Sequence, residues 1–326
     1  MTMNIFYPIQ LISDWLTYSI FVITPKTVLA DALNFFIYDT IKIFILMAVI
    51  IFIVSIIRSY LPPEKIRAIL SHKNKYVGNI LASLLGIITP FCSCSAIPLF
   101  LGFIQAGVPL GTTFSFLVAS PMINEVALVL LLGLFGWKIA LIYIISGLII
   151  SILSGIVIGH LKVENLVEPF VYQNTIKGSA DLPIMTRKER IIYARDYTLD
   201  VLKKVWPYIL IGIGVGAWIH GYLPADFLAK YAGSDKWYAV PLAVLIGIPL
   251  YSNAAGVIPL VSVLTEKGVS MGTTLAFMMS VTALSLPEFM ILKKVMKIRL
   301  ILIFAGIVGI GITFTGYLFN FILLSG

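Results

Sequence analysis

Charge is scarce in this sequence. Of 326 residues only 12% are Asp, Glu, Lys or Arg, whereas 60% are hydrophobic. Soluble domains carry about a quarter charged residues, so a water-exposed globule is excluded. Cysteine is nearly absent too. Cys92 and Cys94, two positions apart, cannot staple a disulfide framework. No phosphate-binding loop is present: the glycines at Gly212, Gly214, Gly216 and at Gly306, Gly309, Gly311 follow no strand and read as small faces for helix packing. ATP-driven chemistry therefore has no seat. A cleavable leader is not expected either, because the first basic residue is Lys26 and the charged start of such a leader is missing. The net charge of +8 does not indicate nucleic acid, since basic loops orient membrane helices. No cofactor is called for.

What is present is uncharged length. Ile139–Gly159 and Leu300–Leu324 carry no charged residue, and about 20 apolar residues span a bilayer. Asn79–Asn124 is uncharged throughout, so it must hold more than one embedded element. The expectation is an all-α integral membrane protein, a polytopic bundle of about 8–10 helices in the inner (plasma) membrane. Ile5–Val22, interrupted by Asp14, either spans or lies at the interface. Ile43–Ile57 is a helix core ended by Tyr60-Leu61-Pro62. Helices are expected near Met122–Phe135 and Ile139–His160. Leu161–Lys204 reads as a linker with an amphipathic helix near Arg187–Tyr197, and Val205–Ile219 as a further helix core.

The sequence repeats itself. Tyr60-Leu61-Pro62 returns as Tyr222-Leu223-Pro224, Pro98 as Pro259, and Gly107-Val108 as Gly268-Val269. Gly111-Thr112-Thr113 returns as Gly272-Thr273-Thr274 and Phe116 as Phe277, all at an offset of about 161 residues. With a two-residue shift Glu125 aligns with Glu288. The expected organisation is an N-terminal helix (1–34), a first membrane repeat (35–161), a cytoplasmic linker (162–197) and a second repeat (198–326). The loop after Tyr60 is basic but its mate after Tyr222 is balanced. The turn at Trp137 is nearly neutral, but its mate carries Lys293, Lys294, Lys297 and Arg299. Basic loops are cytoplasmic, so the two repeats are expected to be inverted. Asn79–Gly107 must then enter and leave on one side, as a re-entrant pair or a two-helix hairpin.

Interrupted hydrophobic segments at matching places of inverted repeats mark a transporter's midplane site. Thr89–Ser95 and Pro249–Gly256 are such segments. Cys92, Ser93, Cys94 and Ser95 in the first, with Ser252 and Asn253 in the second, are the candidate substrate-binding residues. Cys92 and Cys94 could share a soft metal or metalloid ion, although buried cysteine also serves as a small apolar residue and two thiols fall short of a closed tetrahedral site. Glu125, Glu288 and the adjacent Asn124 are candidates for proton coupling or gating, because a carboxylate in a membrane segment is costly and functional by default. The alternative is a carboxylate stabilised by a helix N-terminus, with Pro121 and Pro287 near helix starts. His160 and His220 fall at helix ends, where interface positions explain them.

Pro90-Phe91-Cys92-Ser93-Cys94-Ser95 with Ile97-Pro98, Gly107-Val108-Pro109-Leu110-Gly111-Thr112-Thr113 and Ser120-Pro121-Met122-Ile123-Asn124-Glu125 together resemble the predicted permeases of the ArsP and YraQ type. The resemblance runs from about Ile37 to Leu324. It implies a multi-helix inner-membrane permease, some relatives of which export trivalent organoarsenicals in exchange for protons, while many have no assigned substrate. The combined expectation is a secondary transporter for a small thiophilic solute, working by alternating access and conferring arsenic resistance through efflux. A permease for an unrelated small anion or metal, a membrane enzyme using the two thiols for redox chemistry, and a non-transporting membrane subunit are the alternatives. Its partners are a small-molecule or ion substrate and the lipid bilayer, with the oligomeric state open.

Overall fold

The computed structural model describes residues 7–21, 23–24, 27–60, 75–89, 93–123, 125–173, 186–222, 236–250, 257, 261, 264–265 and 268–324. Among them the regular structure is helical apart from one isolated antiparallel bridge, Val167 with Met296. Four stretches are long and apolar enough to cross a bilayer: Leu29–Ile53, Leu131–His160, Met271–Leu292 and Ile298–Leu323.

The chain opens with α1 (Tyr7–Asp14), which runs on as a π-helical turn, Trp15–Ile20. Polar side chains hold it to α2 (Val28–Tyr60). Asp14 accepts hydrogen bonds from Gln10 (2.8 Å) and Asn34 (2.8 Å), and Ser13 donates to the Asn34 carbonyl at 2.8 Å. The helix α2 ends at Tyr60, two residues before Pro62, as a proline's restriction of its predecessor requires. The expected boundary at residue 34 falls inside α2.

Three helices build the first packed unit: α3 (Lys75–Ile88), α5 (Leu110–Met122) and α6 (Glu125–His160). Small residues set their approach. A Cβ on Gly86 would lie 2.9 Å from Ala119 Cβ and 3.1 Å from the Phe116 carbonyl oxygen. Ser115 donates to Asn79 Oδ1 at 3.2 Å. These contacts make α3 and α5 parallel neighbours. Gly155 abuts Ser115 and Gly111, while Gly147 abuts Ile123, so the second part of α6 runs antiparallel to α5. Gly136, with φ 82°, interrupts α6 where a glycine is needed, at the expected border between the Met122–Phe135 and Ile139–His160 helices.

Between α3 and α5 lies α4 (Ser93–Gln105). A tight turn closes α4 onto α5: Val108 N–H donates to Phe103 O (2.9 Å) and Gly107 adopts φ 79°. Thus α4 ends at the level where α3 and α5 begin. The 14 and 13 residues of α3 and α4 give each roughly 20 Å at about 1.5 Å per residue, short of a ~30 Å hydrocarbon core. The pair enters and leaves at one end of the bundle, which is the re-entrant form of the two arrangements the sequence left open.

The same construction recurs. The helices α9 (Ala239–Gly247), α10 (Met271–Ala283) and α12 (Ile298–Leu324) meet through Gly247 on Phe277 and Ser280, Gly272 on Gly316 and Asn320, and Gly316 on Val240 and Ala276. Apart from Gly316 on Val240, each of these contacts stands 161 residues after its counterpart in the first unit. Gly268 repeats the left-handed turn of Gly107, with φ 83°. The units touch through counterpart elements, α5 with α10 and α6 with α12. Gly311 packs on Ile150, its own counterpart.

Between the units, α7 (Pro169–Gln173) belongs to a short segment that buries Val163, Val167 and Val171, and α8 (Arg187–Tyr222) is one continuous helix packed along α2. The sequence suggested a linker helix and a separate core from Val205. The structure joins them, and the expected boundary at residue 197 lies inside α8. A capping box starts the helix: Thr186 N–H donates to Glu189 Oε2 (2.7 Å) and Glu189 N–H to Thr186 Oγ1 (3.4 Å). The bond from Thr186 N–H, aided by the Thr186 hydroxyl, holds the Glu189 carboxyl below its usual range. The contribution to the helix start is therefore complete above that range and fades as pH falls through the lowered value.

Gly155→Val is expected to destabilise the protein by about 1–3 kcal/mol or more, because overpacking a tight interface forces backbone shifts. Gly133→Ala, where a Cβ meets nothing within 4 Å, is expected to be neutral. Thermal unfolding in detergent should separate the two; equal melting temperatures would contradict the packing described.

Candidate functional site

Both units break a spanning helix in the middle. In the first, α5 ends at Met122 and α6 begins at Glu125. In the second, α10 ends at Ala283 and a seven-residue helix, α11 (Leu286–Leu292), follows. Depth is set by the long neighbouring helices. Ile123 lies against Gly147 and Leu284 against Gly309, and each glycine is near the middle of its candidate span. The interruptions therefore sit level with the middles of two apolar helices long enough to cross a bilayer.

Backbone at that depth must be satisfied internally. At the first break Ile123 N–H donates to Ala119 O (2.9 Å), and the Tyr143 hydroxyl donates to the Met122 carbonyl at 2.8 Å. At the second, Leu284 N–H donates to Ser280 O (2.9 Å) and Leu286 N–H to Ile248 O (2.9 Å). The last bond has a further consequence. Ile248 directly follows α9, so the chain leaving α9 is fastened to the start of α11; of the expected interruption Pro249–Gly256, residues 251–256 lie outside the described residues. Glu288 stands two residues further along α11, fully buried at 0% exposure. Ser285, at the cap position, is also buried, and its hydroxyl has no hydrogen-bond partner among the described residues.

The helix α11 also packs against α4 and α8. The helix opening in the cysteine–serine sequence of the first half therefore meets the helix bearing Glu288 of the second. Phe304 bridges the same region, edge-on to Phe289 at 6.3 Å and tilted against Phe114 at 5.5 Å.

The sequence-predicted residues fall as follows. Glu288 is described in full and buried beside a break. Ser93, Cys94 and Ser95 form the first turn of α4, so the first interruption lies between Thr89 and Ser93 and is narrower than Thr89–Ser95. Glu125 opens α6. The side chains of Ser93, Cys94, Ser95 and Glu125, and the residues Cys92, Asn124, Ser252 and Asn253 entirely, lie outside the described residues. Pro121 lies in the last turn of α5 instead of opening the next helix, where it forgoes one intrahelical hydrogen bond just before the break. Pro287 does sit in the first turn of α11. His160 caps its own helix, with Nδ1 2.8 Å from Ile156 O. Among the described residues no three His, Cys, Asp or Glu side chains gather as metal ligands.

Two features were not read from the sequence. Tyr143 is the fastening at the first break; its repeat counterpart is Phe304, and that lone extra hydroxyl was the available signal. Asp39 and Lys42 lie 3.9 Å apart on α2, inside a candidate span, with Asp39 buried. Their i, i+3 spacing was visible but outweighed by the apolar run that follows.

The fold and these breaks define a multi-pass, all-helical protein of the cell membrane, with discontinuous helices and an acidic side chain buried beside one interruption. The chain belongs to the ArsP-type family described as predicted permease, whose profile matches residues 28–321. It is similar to the UPF0718 protein MJ0584 of Methanocaldococcus jannaschii, 24% identical over 308 residues, covering 78% of this chain and 84% of that one. It is also similar to a putative two-component membrane permease complex subunit of Streptococcus mutans, 28% identical over 261 residues, covering 77% and 82%. The UPF0718 protein YraQ of Escherichia coli is 26% identical over 234 residues, covering 68% and 62%. No solved structure matches the chain.

Tyr143→Phe is expected to lower stability by about 1 kcal/mol, since it leaves the buried Met122 carbonyl without its donor. Ser285→Ala, which removes a buried hydroxyl lacking a partner, is expected to leave the melting temperature unchanged or raise it. Parallel thermal melts check both; a drop for Ser285→Ala as large as that for Tyr143→Phe would contradict the assignment of bonds at the two breaks.

Proposed function

We propose that this chain is a secondary permease that works by alternating access around a midplane site between two inverted halves. The observation that carries the reading is Glu288: a fully buried carboxylate on a half-helix fastened to the chain leaving α9 by Leu286 N–H to Ile248 O at 2.9 Å. An acidic side chain within a membrane segment is costly to bury, which makes a functional role the default reading.

Inversion is supported by end-to-end geometry. The bridge of Val167 with Met296 ties the chain just after α6 to the chain just before α12. Since α6 past Gly136 and α12 are repeat counterparts, the end of one meets the beginning of the other, and they cross in their middles at Ile150 and Gly311. Counterpart helices running in opposite directions are what an in-plane two-fold relation produces. Both tied segments also belong to the parts that loop charge assigns to the cytoplasm.

In this reading Cys92, Ser93, Cys94 and Ser95 face Ser252 and Asn253 across the site. Glu288 and Glu125, with Asn124, take up and release protons in turn. Soft thiols favour a soft solute, so the substrate proposed is a small thiophilic species such as a trivalent organoarsenical, exported against proton entry. Proton-coupled movement needs no nucleotide and no covalent chemistry, and so no enzymatic activity is assigned.

The test is flux in vesicles reconstituted with the purified chain alone, using a methylated trivalent arsenical with and without a pH gradient. The chain alone is the right preparation because one relative is named as a subunit of a two-component complex. Wild-type flux should rise several-fold with the gradient. Glu288→Gln should lose at least tenfold of the gradient-driven component, as should Glu125→Gln. Gradient-driven flux unchanged in both variants would refute the coupling role.

A further inference from the structure

The segment between the two halves does more than connect them. After α6 the chain turns at Lys162 (φ 49°), makes a 3-10 turn at Glu164–Leu166 and continues into α7. Along this path Val163, Val167 and Val171 are buried, Val171 completely. Two backbone bonds hold it to the turn between α11 and α12: Glu168 N–H donates to Val295 O (2.9 Å) and Lys297 N–H to Leu166 O (2.8 Å). Lys297 Nζ adds a bond to Asn165 O at 3.2 Å. Val167 stands opposite Met296, which is fully buried. On its other flank the segment packs through α7 against α4.

Thus residues 163–173 touch both α4, of the first half, and the end of the α11 hairpin, of the second. Those two helices pack on each other on one side of the midplane, where α4 returns from the first interruption and α11 leaves the second. If a solute moves between the halves toward the basic end of the molecule, it passes between α4 and α11. The strap crosses that exit. Few hydrogen bonds hold it, two main-chain bonds of an isolated bridge and one from the exposed Lys297 Nζ, so they can be exchanged for water without unfolding a helix.

We propose that residues 163–173 form a cytoplasmic latch, which closes the exit between α4 and α11 in the conformation seen here and must leave the turn at Val295–Lys297 for the site to open inward. The proposal rests on the permease reading above for the position of the exit.

The test uses the full chain with Val167→Cys and Met296→Cys. The two residues form a non-hydrogen-bonded antiparallel pair, whose Cα atoms stand about 4.5 Å apart, within disulfide range. Oxidised vesicles should show at most about a tenth of the arsenical flux of the reduced ones, with recovery on reduction. Oxidised wild type controls for the native Cys92 and Cys94. Undiminished flux in fully cross-linked protein would overturn the latch. If neither wild type nor the reduced variant moves the arsenical, the permease reading fails for that substrate, and the latch is judged by accessibility. Ser285→Cys is then labelled with a membrane-impermeant maleimide from the cytoplasmic side, with and without Val167→Asp to release the strap. A tenfold faster labelling on release, with the melting temperature retained, supports the latch; equal rates overturn it.

Discussion

Main-chain polar groups at the midplane of a bilayer have no water to turn to, and this constraint organises the rest of the molecule. A helix broken there exposes carbonyls and amides that only other protein atoms can satisfy. The two breaks meet the demand differently. At Met122 a tyrosine from the neighbouring α6 reaches the free carbonyl. At Leu286 the free amide is taken by Ile248, just past α9. The second solution ties the chain leaving α9 to the start of α11, two residues before the buried carboxylate of Glu288.

Close backbone packing makes such breaks tolerable. Between helices in lipid there is little hydrophobic drive, so small residues that permit contact supply the adhesion. Gly86, Gly111, Gly155 and Gly159 in one unit, with Gly247, Gly272 and Gly316 in the other, let three helices meet backbone to backbone around each half-helix. The units are not identical inside. The first carries Asn79, Ser83, Ser115 and Ser151 in hydrogen-bonded pairs between helices, where the second has Val240, Val244, Ala276 and Ile312. The second unit uses different bonds at other positions: Ser280 donates to the Val244 carbonyl and Gly272 N–H to Asn320 Oδ1.

Much of this was legible in the sequence because repetition and periodicity are local patterns. Gly107 and Gly268 announced equivalent left-handed turns, and the uncharged length of Asn79–Asn124 announced more than one embedded element. The location of Glu288 within an apolar segment was enough to single it out. Other features needed coordinates. Whether Asn79–Gly107 crossed twice or turned back within the bilayer depended on the lengths of α3 and α4, which no composition encodes. The strand-like pairing of Val167 with Met296 joins residues far apart in sequence, with no alternating pattern to betray it. The union of the linker helix with the core beyond Val205 was hidden by the polarity of Arg187–Lys204, which reads as a boundary although nothing in it breaks a helix. Pro207 lies inside α8 without ending it.

The account depends on two copies of one scaffold lying in opposite senses across the membrane. Sidedness of equivalent turns measures this directly. Lys138, after the Gly136 interruption, and Lys294, in the turn following α11, lie in the corresponding turn regions of the two units. Each is replaced by cysteine in turn and exposed to an impermeant thiol reagent from either face of sealed vesicles, against the unsubstituted chain as background. Lys294→Cys should react only from the cytoplasmic face and Lys138→Cys only from the opposite one. Reaction of both from the same face would contradict the inverted arrangement and the midplane site built upon it.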